Sequence, residues 1–106
     1  IPAGRLDANE SPEECARREL LEETGCTAER LELLTSVYTT PGFTDEKIHF
    51  FLASGLTRGE AKREADEFME VEALSMFTAL RMVERGEIAD AKTALGLLYT
   101  AGFRLG

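Results

Sequence analysis

A chain of 106 residues, 43% hydrophobic and 30% charged, has room for one small domain with a modest core. Twelve basic against twenty acidic side chains leave a net charge of −8. That balance argues against nucleic acid or an anionic membrane as partner, since both reward a basic patch, while a small anionic substrate stays open because a bound cation can invert the local field. No apolar run reaches the length of a membrane span.

In chain order, "IPAG" (Ile1 to Gly4) reads as a strand end entering a turn. The chain does not begin with methionine, and an interior piece of a longer protein is expected. "SPEE" is a helix start, with Ser11 as N-cap, Pro12 at the first helical position and Glu14 closing a capping box. The helix is expected to run to Thr24, with Gly25 as its left-handed terminator. Cys15 and Cys26 lie about three helical turns apart, beyond disulfide reach. They read as small buried hydrophobes whose reduced state suits a cytoplasmic protein. "LELLTSVYTT" (Leu31 to Thr40) and "KIHFFLASGL" (Lys47 to Leu56) are β-rich and are expected to pair across the loop "PGFTDE". Val37, Phe50, Phe51 and Leu52 are candidate core residues, and His49, the only histidine, is read as structural. The charged stretch from Thr57 to Glu70 is expected to be a solvated loop, and "VEALSM" (Val71 to Met76) a short strand. A helix through Leu80, Met82 and Val83 stops at Gly86. A last helix offers Ala94, Leu95, Leu98 and Tyr99 as an apolar stripe. The organisation is one α/β domain without repeats or linkers.

"RRELLEETGC" (Arg17 to Cys26) carries the chemistry. Glu19, Glu22 and Glu23 lie within about one helical turn, where each like-charge pair opposes the helix by roughly 0.2–0.5 kcal/mol. A solvated acidic face is the plain reading of such a run. Against it stand the convergence of the three carboxylates on one side, the placing of Arg18 four residues before Glu22, and a glycine-bearing loop ahead with a further acid, Glu10. A hard divalent cation such as Mg²⁺ takes carboxylate oxygens and would relieve the repulsion.

Written out, Gly4, five residues, Glu10, seven residues and then Arg18-Glu19-Leu20-Leu21-Glu22-Glu23-Thr24-Gly25-Cys26 span 23 residues. This resembles the complete signature box of the Nudix hydrolases, with Cys26 standing where an aliphatic residue is more usual. The resemblance implies an α/β (α+β) fold, the Nudix-type α/β/α sandwich with a mixed sheet. Its N-terminal strands would be absent from this chain, so that residues 1–106 form a single, partial Nudix domain. It implies Glu19 and Glu23 as metal ligands, Glu22 as a ligand or a modulator of metal-bound water, and Arg18 as the partner that orients Glu22. Gly4 would permit the turn, the Ala3 carbonyl would add a ligand, and Glu10 would tie loop to helix. The implied cofactor is Mg²⁺, with Mn²⁺ as a substitute.

"YTTPGFTDE" (Tyr38 to Glu46) places Pro41 fifteen residues after the box, which is similar to the ADP-ribose pyrophosphatase branch. By that resemblance the Pro41-Gly42 turn and Glu46 bind substrate, and Phe43, next to the turn, is a further candidate contact. Glu46 would accept from ribose hydroxyls, and Phe43 either stacks on the ligand or packs within the loop; the plain alternative for Pro41-Gly42 is a simple hairpin turn. "DAKT" (Asp90 to Thr93) resembles the same branch and is read as structural. The branch draws a further acid from the later loop, here Glu67 as a ligand and Glu64 as the proton acceptor. Ala65 stands where the base is often found.

The implied reaction is Mg²⁺-dependent hydrolysis of ADP-ribose to AMP and ribose 5-phosphate by a cytoplasmic homodimer. The alternatives are a Nudix hydrolase of another nucleoside diphosphate sugar and a non-enzymatic ADP-ribose-binding module. The intact Glu19, Glu22 and Glu23 argue against the last.

Overall fold

The computed structural model describes residues 1–59 and 71–105, and the elements run α1 (Pro12–Thr24), β1 (Cys26–Tyr38), β2 (Lys47–Arg58), α2 (Met76–Glu84) and α3 (Ala91–Phe103). The fold class is α/β, with three helices and a two-stranded sheet among the described residues. The chain divides into two compact units, Pro2–Met69 and Glu70–Gly106, the second joined by Ile1.

In the first unit, α1 begins and ends where local chemistry dictates. The Glu14 N–H donates to the Ser11 hydroxyl at 3.1 Å and the Ser11 N–H to the Glu14 carboxylate at 3.3 Å, a closed capping box with Pro12 at its first turn. Gly25 ends the helix at φ +74°, and its N–H donates to the Leu21 carbonyl at 2.8 Å. A residue with a Cβ would be strained there. β1 follows at once, starting at Cys26 rather than Leu31. Its first residues lack an apolar alternation, yet they pair with the far end of β2, Cys26 opposite Arg58 and Ala28 opposite Leu56.

The two strands form an antiparallel hairpin that reaches Tyr38 opposite Lys47, with an irregularity between Leu33 and Thr35. The extra residue shifts the alternation, as a β-bulge does. Phe50 is buried in this sheet, while Phe51, Leu52 and Val37 are half-buried. His49 lies opposite Ser36, whose hydroxyl is 2.7 Å from Nδ1, and Lys47 stands 5.5 Å over the Tyr38 ring. Cys15 is buried and both cysteines are free thiols.

In the second unit "VEALSM" is no strand. Residues 71–75 are irregular and Met76 opens α2, because the Ser75 hydroxyl accepts the Thr78 N–H at 3.1 Å and so caps a helix. Asp90 caps α3 in the same way. It accepts from the Thr93 hydroxyl at 2.7 Å, from the Thr93 N–H at 3.2 Å and from Lys92 at 3.0 Å, which together hold its carboxyl well below the usual carboxylate range. The stripe on α3 is displaced from the expected one: Leu95 and Leu98 are exposed, while Thr100 is buried with its hydroxyl on the Gly96 carbonyl. Among the described residues no helix is long and apolar enough to cross a membrane.

Candidate active site

The loop before α1 folds onto the acidic side of the helix, and Arg18 is where the two meet. Its guanidinium donates to Glu10 through Nε at 2.8 Å and Nη2 at 3.1 Å, a two-pronged grip on one carboxylate. Nη2 also reaches the Arg5 carbonyl at 3.0 Å, and Nε lies 3.5 Å from Asp7. From the same group Nη1 donates to Glu19 at 2.8 Å and to Glu22 at 3.2 Å. Glu10 in turn closes its own loop, accepting the Asp7 N–H at 3.0 Å. Hydrogen bonding to Arg18 and to the Asp7 backbone pulls the Glu10 carboxyl down to about 2, and Glu10 raises Arg18 above its ordinary value. Burial pushes the Cys15 thiol up, helped by the Glu10 charge. That thiol faces the Gly4 carbonyl at 3.9 Å and so packs loop against helix.

The carboxylates that seemed to oppose one another each accept from a donor. Glu19 and Glu22 share Arg18, and Glu23 accepts the Ala3 N–H at 2.8 Å. Gly4 lies outside the left-handed region, so a turn is not what requires it. What it supplies is room, since a Cβ there would collide with the Glu19 carboxyl. The structure thus brings Ala3, Arg18, Glu19, Glu22 and Glu23 together, with the N–H of Ala3, not its carbonyl, on Glu23.

Glu19, Glu22 and Glu23 beside a loop backbone offer oxygen donors alone, the donor type that a hard divalent cation takes. Glu19 and Glu22 each meet Arg18 through one oxygen and keep the other outside that bond. Among the described residues no three acidic, histidine or cysteine side chains are grouped closely enough to hold a metal ion. Glu64 and Glu67 lie outside the described residues.

Pro41, Gly42, Phe43 and Glu46 form a second group, at the end of β1 remote from Gly25. The Phe43 N–H donates to the Thr40 carbonyl at 3.0 Å across Pro41 and Gly42, and Gly42 sits at φ +96° with open space where a Cβ would stand. Proline followed by a positive-φ glycine is the pattern of a type II turn. Phe43 is 91% exposed, so burial within the loop is not its position here. Glu46 accepts from the Thr39 hydroxyl at 2.8 Å.

Residue spacing did not single out the Arg5 carbonyl, Asp7 or Thr39. Asp7 had a local signal, an Asp-x-x-Glu turn ending at the helix cap; the contacts of Arg5 and Thr39 follow only from how the loops close.

Comparison with known proteins identifies the family. A family model described as the NUDIX domain matches residues 1–94. The ADP-ribose pyrophosphatase of Bacillus subtilis is 52% identical over 101 residues, covering 93% of this chain and 55% of the relative. The methanol dehydrogenase activator of Bacillus methanolicus is 43% identical with the same coverage. The GDP-mannose pyrophosphatase of Yersinia enterocolitica is 41% identical over 92% of this chain and 52% of its own length. A crystal structure of an ADP compounds hydrolase superposes with a TM-score of 0.75 at 24% identity, covering 92% of this chain and 53% of that one, and shows the shared fold. The chain spans about half the length of the curated relatives it matches. With the loop–helix acidic cluster built around Arg18, and a family match across most of its residues, the chain belongs to the Nudix family.

Proposed function

We propose that the protein hydrolyses the pyrophosphate bond of ADP-ribose, yielding AMP and ribose 5-phosphate in a Mg²⁺-dependent reaction. The single observation that carries this reading is the loop–helix arrangement in which Arg18 donates to Glu19 and Glu22 and the Ala3 N–H donates to Glu23. Glu19 and Glu23, with Glu22, the Ala3 carbonyl and Glu67, are the residues that would hold Mg²⁺ or Mn²⁺. When bound, such an ion neutralises diphosphate charge and lowers the pKa of an attacking water.

The chain's own residues do the rest. Arg18 aims Glu19 and Glu22, and Glu10 holds Arg18 against the loop. Ala3 fixes Glu23 from the backbone side. Glu64 is the proposed acceptor of the proton that the attacking water loses. Pro41 and Gly42 shape the turn that presents Phe43 to the ligand and Glu46 to sugar hydroxyls. The relative named ADP-ribose pyrophosphatase, at 52% identity, supports the substrate. The relatives named GDP-mannose pyrophosphatase support the second reading, hydrolysis of another nucleoside diphosphate sugar. The working form is read as a cytoplasmic homodimer in which residues 1–106 are part of a single Nudix domain.

The test is to incubate the full-length protein with ADP-ribose, ADP-glucose, GDP-mannose and NADH, with and without Mg²⁺, and to follow nucleoside monophosphate release. AMP from ADP-ribose only when Mg²⁺ is present is the expected result. Cleavage of GDP-mannose with ADP-ribose untouched transfers the assignment to the second reading, and no cleavage at all overturns both. Glu23→Gln should abolish metal-dependent turnover with the fold retained; an unchanged rate removes Glu23 from the ligand set.

A further inference from the structure

The hairpin turn holds Glu46 from both sides. The Thr39 N–H donates to the Glu46 carbonyl at 3.1 Å, one rung beyond the last strand pair, and the Thr39 hydroxyl donates to Glu46 Oε1 at 2.8 Å. The Glu46 N–H donates to the Thr44 hydroxyl at 3.1 Å, and the Thr44 N–H to the Thr40 carbonyl at 3.2 Å. Thus the backbone of Glu46 is fixed at its N–H and its C=O, and its carboxylate is fixed at one oxygen.

A glutamate on a solvent-exposed loop would ordinarily sample many rotamers and lose that freedom on binding. Here a β-branched residue with few χ1 states makes the contact. Oε2 is left as an acceptor outside the Thr39 bond. A carboxylate used in this way recognises donors, and paired hydroxyls of a sugar are donors of that kind.

We infer that Thr39 is a positioning residue that orients Glu46 for the sugar hydroxyls of a nucleoside diphosphate sugar. The inference rests on the reading of Glu46 as a substrate contact. The side-chain contact of Thr39 is with Glu46, and its proposed action on the substrate passes through that carboxylate. Its loss therefore weakens ground-state and transition-state binding alike, which raises KM and leaves kcat in place.

The experiment uses the full-length protein and steady-state kinetics on ADP-ribose and GDP-mannose side by side. Thr39→Val keeps the shape of the side chain and removes the hydroxyl. It should raise KM for the cleaved substrate on the order of 10-fold, the low end for one hydrogen bond to a charged group, with kcat within about twofold. Thr39→Ser, which restores the hydroxyl without the β-branch, should bring KM most of the way back to the wild-type value. Glu46→Gln should raise KM at least as far; because its amide oxygen still accepts from the Thr39 hydroxyl, the double variant uses Glu46→Ala, to which Thr39→Val should add nothing. Thermal melts of each variant show whether the loop has unfolded, and a general structural loss lowers kcat and survives in the Glu46→Ala background.

If Glu46→Gln leaves KM unchanged, the reading of Glu46 fails and the role of Thr39 with it. If Glu46→Gln raises KM while Thr39→Val behaves as wild type, Glu46 stands and the positioning role is overturned. Additive effects in the double variant overturn it as well.

Discussion

Arg18 distributes its donors over Glu10, Glu19, Glu22 and the Arg5 carbonyl, and this pattern depends on a planar fork. A lysine ammonium is a point donor that cannot grip Glu10 at two oxygens and still reach the helix acids. Arg18→Lys should therefore lower metal-dependent turnover on the order of 10–100-fold, the usual effect of removing a partner that orients metal ligands, and lower the melting temperature. Wild-type turnover in that variant, measured at saturating Mg²⁺, would contradict the orienting role. Glu10 makes a pH prediction. Its carboxyl is pulled from the ordinary 4.5 down to about 2 by Arg18 and the Asp7 N–H, so the folded state prefers the ionised form. The stabilisation is complete above about pH 4.5 and is lost as pH falls through about 2. Melts of the wild type and Glu10→Gln should differ by a constant margin above about pH 4.5, and the margin should close toward pH 2; a margin independent of pH refutes the linkage. The two contacts of Arg18 differ in how readable they were. Its bond to Glu22 follows from four-residue helical spacing alone. Its bond to Glu10 crosses a loop containing Asn9 at φ +64°, a closure that no periodicity encodes, and only resemblance to a family pointed there.

At the scale of elements, the loop and α1 work as one part, because Gly4 must pass close to Glu19 while the capping box fixes where the helix starts. Gly4→Ala puts a methyl group into the Glu19 carboxyl, and either the loop or the glutamate must move. The expected outcome is a large loss of turnover, on the order of 10-fold or more for a displaced ligand, with a small change in melting temperature because the loop is exposed. Ser11→Ala, by contrast, should cost about 1 kcal/mol of stability through the lost cap and leave KM alone. Turnover and denaturant titration on both variants distinguish them, and matching profiles would mean that site and cap are not separable. The bounds of α1 were legible because Ser11, Pro12, Glu14 and Gly25 act within a few residues of themselves. The start of β1 was not, since Cys26–Arg30 becomes strand only by pairing with residues up to Arg58. The "VEALSM" segment misled for a local reason: its apolar residues suggested a strand, while Ser75 followed three residues later by Thr78 was already a helix cap.

At the scale of the molecule, burial is thin for the number of apolar side chains. Cys15, Phe50 and Ala79 are the hydrophobic residues buried among those described, while Leu33, Tyr38, Leu56, Phe77 and Phe103 are each more than half exposed. In the hairpin, apolar residues stand on both faces: Ile48, Phe50 and Leu52 on one, Leu31, Leu33 and Phe51 on the other, by the alternation of the paired register. A two-stranded hairpin is marginal in water, and further strands or helices are what make such a sheet stable. A polypeptide of these 106 residues alone should therefore melt over a broad range and bind a hydrophobic dye such as ANS at neutral pH, keeping its far-ultraviolet circular dichroism. The net charge of −8 should keep it dispersed enough to be measured. The full-length protein should show a sharp transition and little dye binding under the same conditions. A sharp, dye-free transition in the 106-residue polypeptide would mean that α1, the hairpin and the two later helices cover their own apolar surface in solution. The exposed leucines and phenylalanines would then have to be accounted for by packing among themselves.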